Sequence, residues 1–207
     1  MLLPECWKRR IPGLNQDVIL ALEKLLNKKS KVFEFGTGGS TVWLAKRVGE
    51  LVSVEYDPKW FKVLCDGVNM DFGGTPKHVK LNLKSGTQHN LWIISETTRQ
   101  RIGMDFIESI TPYPDDYFDV VLVDGRARVS CMLNARRKVK PGGTIILDDS
   151  QRAHYQHGIG QMADWESRYF GDQKRQAIFF KKTTAGATGG IPPHNIMLCV
   201  KVSPDPK

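Results

Sequence analysis

The stretch Val32-Phe33-Glu34-Phe35-Gly36-Thr37-Gly38-Gly39-Ser40-Thr41 decides the fold: an apolar run ends in an acid and then breaks into a glycine-rich turn. A strand emptying into such a turn brings backbone N–H groups and the next helix's N-terminus close to a ligand, because glycine lacks the Cβ that would block the approach. A second acid, Glu55, follows nineteen residues after Gly36 and closes the apolar run Leu51-Val52-Ser53-Val54. At the end of the second strand of a βαβ unit, a carboxylate is placed to accept hydrogen bonds from two ribose hydroxyls. Together the turn and the acid point to a nucleotide-type pocket.

Outward from this pair, the pattern alternates strand and helix. Residues 15–28 read as an amphipathic helix capped by Asn15, with Val18, Leu22, Leu25 and Leu26 on one face, and are expected to cover a sheet edge. Strands are expected at 31–35, 51–55, 78–83, 118–123 and 144–147. Helices are expected at 40–48 and after Asp57-Pro58, which supply an N-cap and a first-turn proline. The short Val/Ile/Leu runs at 118–123 and 144–147 suit parallel strands covered on both faces. A helix at 151–169 and two antiparallel strands at 176–180 and 195–202, separated by the Gly/Thr/Pro-rich loop 183–193, complete the expectation. The fold class is thus α/β: a Rossmann-like, mostly parallel seven-stranded sheet with helices on both faces and an antiparallel last strand. The chain reads as a single domain over 1–207, with 1–30 a helical cover and 84–115 a lid or an insertion.

No apolar run approaches the ~18 residues of a membrane span. The N-terminal charge follows a very short apolar stub, the wrong order for a secretory signal. Cys6, Cys65, Cys131 and Cys199 show no C-x-x-C spacing, which favours reduced thiols and a cytoplasmic location over disulfides or zinc. The formal charge is +8, and residues 126–140 carry six basic residues and no acid. A basic surface attracts RNA or other anions, but Arg136, Arg137, Lys138 and Lys140 read better as the solvated end of a helix. Nucleic acid is the lesser expectation.

The residues resemble those of the class I S-adenosylmethionine-dependent methyltransferases. Glu34-Phe35-Gly36-Thr37-Gly38-Gly39-Ser40 is similar to that family's acid-x-Gly-x-Gly-x-Gly loop, with Ser40 in the place of the third glycine. Residues 117–125, with Asp124 at the tip, are similar to its fourth strand, and Lys140-Pro141-Gly142-Gly143 to the turn into its fifth. The resemblance runs from about 32 to 149. It implies that Glu34, Gly36, Thr37, Gly38, Gly39 and Ser40 serve the methionine side of the cofactor. Glu55 and Tyr56 would serve the ribose side, and Asp105 would lie near the adenine. A nicotinamide- or flavin-dinucleotide oxidoreductase is the rival for this fold, but Thr41 stands where that pattern wants a small residue. Glu34 also sets a carboxylate where a pyrophosphate would be repelled.

Within the family, Asp124 with Asp148-Asp149 resembles the divalent-metal triad of the catechol and macrocin type O-methyltransferases. Mg²⁺ on three carboxylates would lower the proton affinity of an acceptor hydroxyl and fix it in line with the methyl group. The competing reading makes Asp124 a helix cap or a cofactor contact and Asp148-Asp149 a helix start. Asp124 and His154 are the catalytic candidates, the imidazole as a general base; His157, three residues on, shares that reading, and a surface role fits both equally. Arg126 and Arg128, just past Asp124, are candidate ligands for a substrate carboxylate or phosphate. The expected reaction is methyl transfer to oxygen on a small molecule or sugar. A non-catalytic cofactor-binding scaffold and methylation of RNA or protein are the alternatives, and oligomeric state is left open.

Overall fold

A computed structural model describes residues 5–85, 92–94, 101–171 and 176–182. In chain order the elements are α1 (Glu5–Lys8), α2 (Gln16–Leu25), β1 (Lys31–Phe35), α3 (Gly39–Ala45), β2 (Glu50–Glu55), α4 (Pro58–Phe72) and β3 (Val79–Leu83). A short antiparallel pair, β4 (Trp92–Ile94) and β5 (Arg101–Gly103), leads into α5 (Met104–Ile107) and a 3-10 turn, Glu108–Ile110. Then come β6 (Phe118–Val123), α6 (Arg128–Ala135), β7 (Val139–Leu147), a second 3-10 turn at Ala153–Tyr155, α7 (Gln156–Gly160), β8 (Glu166–Phe170) and β9 (Gln176–Phe180).

Seven strands form one sheet in the order β3-β2-β1-β6-β7-β9-β8. The pairs from β3 to β7 are parallel, whereas β9 runs antiparallel to both its neighbours. From β1 the chain winds outward through β2 and β3, then returns to lay β6 and β7 on the other side. The reversal falls between β1 and β6, the place where open α/β sheets bind ligands.

Strand alternation sorts the core into two layers. Phe33, Phe35, Val52, Val54, Val121 and Val123 face one side, where α5 and α6 pack through Phe106, Ile107, Cys131 and Met132. Val32, Leu51, Val120, Leu122 and Ile146 face the other, under α2 and α3. Asn15 caps α2 by accepting from Asp17 N at 2.8 Å, as its sequence foretells. The helix lies over the β9–β8 side of the sheet, with Val18, Ile19 and Leu22 in the same cluster as Phe170 and Ile178. Its apolar stripe is wide enough to need a face, and Asn15 N donating to Gln176 Oε1 at 3.0 Å ties it to β9.

The helix expected at 151–169 is replaced by two helical turns and β8. Gly158 and Gly160 disfavour a longer helix, and Glu166-Ser167-Arg168-Tyr169-Phe170 alternates in burial as a strand does. The missing Cβ of Gly158 lets α7 press onto α6, since an added Cβ would lie 2.3 Å from Val129 Cγ1. The strand expected at 195–202 and the loop at 183–193 lie outside the described residues.

Candidate active site

Four strands end side by side. Gly36 N donates to Val54 O at 2.9 Å, Asp124 N to Phe35 O at 3.0 Å, and Asp148 N to Val123 O at 3.1 Å. Their exits therefore carry the glycine turn, Glu55, Asp124 and the Asp148-Asp149 pair to a single rim, as the parallel reading requires.

Gly36 sits at φ +82°, and a Cβ there would stand 2.5 Å from Gly125 Cα. The exits of β1 and β6 meet backbone on backbone only because both residues are glycine. Gly39 is similarly enclosed, since its Cβ would meet the carbonyls of Ile11 and Cys6 at 2.3 and 2.4 Å. Gly38 differs: nothing approaches its Cβ position closer than Ser40 Oγ at 4.0 Å, so the turn is open on that side.

Two buried acids hold the turn. Glu55 Oε2 accepts from Thr37 N at 3.1 Å and Thr37 Oγ1 at 2.8 Å, while Oε1 accepts from Tyr56 N and Asp57 N at 2.8 and 3.0 Å. Burial pushes its pKa up against these hydrogen bonds. Glu34 turns away from the rim, because alternation along β1 aims it at α3 and Ser53, its register partner on β2. Its carboxylate accepts from Ser40 Oγ at 2.5 Å, Thr41 Oγ1 at 2.7 Å and Ser53 Oγ at 2.7 Å. Burial raises its pKa to about 7 in spite of the three hydroxyls. Thr41 Oγ1 in turn accepts from Gly38 N at 3.1 Å. Glu34 thus braces the turn from beneath, where the sequence pattern suggested a group facing the ligand.

Beside Glu55, the Tyr56 hydroxyl accepts from Arg126 Nε at 3.1 Å, and the Tyr56 ring meets Phe106 edge-on at 5.9 Å. Next to Phe106, Asp105 Oδ1 is buried and has no hydrogen-bond partner among the described residues. Such an acceptor normally finds a donor. His154 is exposed on the turn after the aspartate pair, its ring against Tyr155 at 4.4 Å; His157 is exposed on α7.

The structure brings Asp124, Asp148 and Asp149 together, around a side chain that the spacing did not assign to them. Arg128 NH1 lies 3.0 Å from Asp148 Oδ2 and 3.1 Å from Asp149 Oδ2, and NH2 lies 3.0 Å from Asp124 Oδ1. Its remaining donors go to main-chain carbonyls, Nε to Gly125 at 3.0 Å and NH1 to Asp148 at 2.6 Å. Burial alone would lower the guanidinium's pKa, but Asp124, Asp148 and Asp149 outweigh it and the value stands above the ordinary one. Arg152 adds a second cation on Asp149 Oδ2 at 2.5 Å, and Gln176 Nε2 donates to Asp148 Oδ1 at 2.7 Å. Ala127 at φ +50° and Asp149 at φ +56° take left-handed conformations that turn the chain into this cluster.

These three carboxylates do not fit Mg²⁺ as they stand. A divalent ion about 4 Å from the guanidinium would meet roughly 8 kcal/mol of repulsion at an effective dielectric of about 20, twice the unit-charge value. Among the described residues, no group of three or more His, Cys, Asp or Glu is arranged to hold a metal ion.

The model of a methyltransferase-domain family matches residues 33–150, the span that runs from β1 through both ends of the rim. The chain belongs to this methyltransferase family. Similar solved structures include a candidate caffeoyl-CoA O-methyltransferase from Staphylococcus aureus, 11% identical over 84% of this chain and 87% of that one, with a TM-score of 0.59. A candidate methyltransferase from Streptococcus mutans in complex with SAH is 12% identical over 81% and 99%, with a TM-score of 0.57. The tRNA (m1A58) methyltransferase TrmI from Aquifex aeolicus is 16% identical over 87% and 77%, with a TM-score of 0.55. At these identities the likeness is one of fold. A comparison with curated proteins gave no match. Among the described residues, no helix of this methyltransferase is long and apolar enough to cross a membrane.

Proposed function

We propose that this methyltransferase uses S-adenosylmethionine and methylates a hydroxyl of a small molecule or sugar. The observation that carries the cofactor half is the rim, where the open side of Gly38 and the Glu55 carboxylate lie at the exits of β1 and β2, with Phe106 against Phe35 and Tyr56 and its neighbour Asp105 carrying an oxygen without a partner among the described residues. The residues fit an adenosyl group. Glu55 would take the ribose diol, with a ribose hydroxyl replacing that of Thr37 as donor. Asp105 would accept from the adenine amino group, and Phe106 with Tyr56 would flank the base. Gly36, Thr37, Gly38, Gly39 and Ser40 would present backbone to the methionine end, and Glu34 would keep that backbone in place. Bound there, the cofactor supplies a methyl group already activated by its sulfonium, so the protein's part is to orient.

Asp124, at the tip of β6 and with its side chain 30% exposed, would meet the acceptor while Arg128 fixes its orientation. His154 is the proposed general base. A small acceptor is favoured over RNA by the state of the basic run, since five of its six cations lie against acids. Arg128 holds the aspartates, Arg136 pairs with Asp164, Arg137 and Lys138 with Asp115, and Lys140 with Asp119.

Calorimetry with S-adenosylmethionine and, separately, with NAD tests the cofactor. Binding of the first alone is expected, weakened at least tenfold in Glu55→Ala; NAD binding without S-adenosylmethionine binding would overturn the reading. Transfer of labelled methyl to a panel of hydroxylated small molecules, with total RNA in parallel, then tests the acceptor, and salt-sensitive labelling of RNA alone would replace it.

A further inference from the structure

Arg128 stands where the spacing of the three aspartates predicts an ion. Its side chain is only 8% exposed, Asp148 and Asp149 are 1% and 10% exposed, and one oxygen of each of the three carboxylates lies within 3.1 Å of a guanidinium nitrogen. A guanidinium carries its charge at every physiological pH and spreads it over a planar fork that suits several carboxylates at once. Arg152 adds a second cation on Asp149, and Asp124 is the most exposed of the three acids. We propose that Arg128 is a built-in cation that takes the place of a divalent metal, so that Asp124 is held for the acceptor by a covalently tethered charge and the reaction needs no added ion. Arg128 is on this view a positioning residue. Its effect on catalysis rests on the methyltransferase reading above, whereas its effect on metal binding rests on geometry alone.

The test titrates MnCl₂ into the full chain, free of cofactor, by calorimetry and thermal shift. The wild type is expected to show no saturable Mn²⁺ binding below millimolar concentration and no change in melting temperature with EDTA. Arg128→Ala unmasks the carboxylates and is expected to bind Mn²⁺ at least tenfold more tightly than the wild type, with a metal-dependent rise in melting temperature. Adding Asp124→Asn or Asp148→Asn to that variant is expected to remove the gain. Arg128→Lys keeps the charge and is expected to gain nothing, and it carries the comparison with the wild type should Arg128→Ala not fold. Saturable Mn²⁺ binding by the wild type that is lost in Asp124→Asn would overturn the proposal. So would a folded Arg128→Ala that binds no better than the wild type, or Arg128→Lys gaining as much as Arg128→Ala. Because no cofactor is present, these outcomes leave the S-adenosylmethionine reading untouched, and failure of that reading leaves them standing.

Discussion

Glu34 shows how the direction of a side chain escapes a linear reading. Its position before the glycine turn was plain, but the side to which its carboxylate points depends on strand register, which places Ser53 opposite it. Burial raises its pKa from the ordinary 4.5 to about 7. A raised carboxyl pKa stabilises the fold fully below about pH 4.5, and that contribution disappears as pH rises through 7. The shift corresponds to about 3 kcal/mol at the alkaline end, at 1.36 kcal/mol per unit. Urea unfolding of Glu34→Gln beside the wild type, from pH 4.5 to 8.5, is therefore expected to show a gap that moves in the variant's favour by up to that amount. A pH-independent gap would mean that the carboxyl titrates in the folded protein as it does in the unfolded chain. Arg128 is the complementary case: its two flanking motifs were visible, but nothing in a linear spacing announces that a guanidinium four residues past Asp124 folds back onto it.

At the level of elements, β6 and the 144–147 end of β7 were legible because buried parallel strands are nearly continuous apolar runs, and α4 because Asp57-Pro58 announces its start. The far edge was not. β8 carries Ser167, Arg168 and Tyr169 on a short edge strand, and its polar alternation was overridden by the helical look of the preceding Tyr155-Gln156-His157. What fixes it is tertiary: Phe170 packs beneath α2 with Ile178, and Trp165 joins the opposite layer. Phe170→Ala should cost about 3 kcal/mol by opening a cavity between sheet and helix. The loss would be seen as a lowered urea midpoint with the slope unchanged; a change within about 0.5 kcal/mol would show that the β8–β9 edge contributes little to the cooperative unit.

For the molecule as a whole, the +8 charge said less about partners than its arrangement does, since the densest basic stretch spends itself on neighbouring acids. The gathering of glycine turn, Glu55 and Asp124 at one rim was foreseeable from the parallel topology alone, because parallel strands share one exit side. The connection between that rim and the N-terminus was not foreseeable. Trp7 is buried against Trp60, at 5.6 Å, and over Gly67, where a Cβ would lie 2.5 Å from its ring. Trp60 Nε1 in turn donates to Thr37 O at 2.7 Å. Trp7→Ala is thus expected to lower stability by about 3 kcal/mol and to weaken S-adenosylmethionine binding severalfold, measured by thermal shift and calorimetry. Met70→Ala, at a side chain 80% exposed on the same helix as Trp60, should change neither.

The enclosure of Gly39 by the carbonyls of Cys6 and Ile11 carries this further. Two oxygens of the opening turn lie where a methyl group at position 39 would need to be, so loop and N-terminal segment are fitted to each other like a latch and its keeper. A graft of the glycine loop into another scaffold would leave its outer side bare unless residues 5–11 travelled with it.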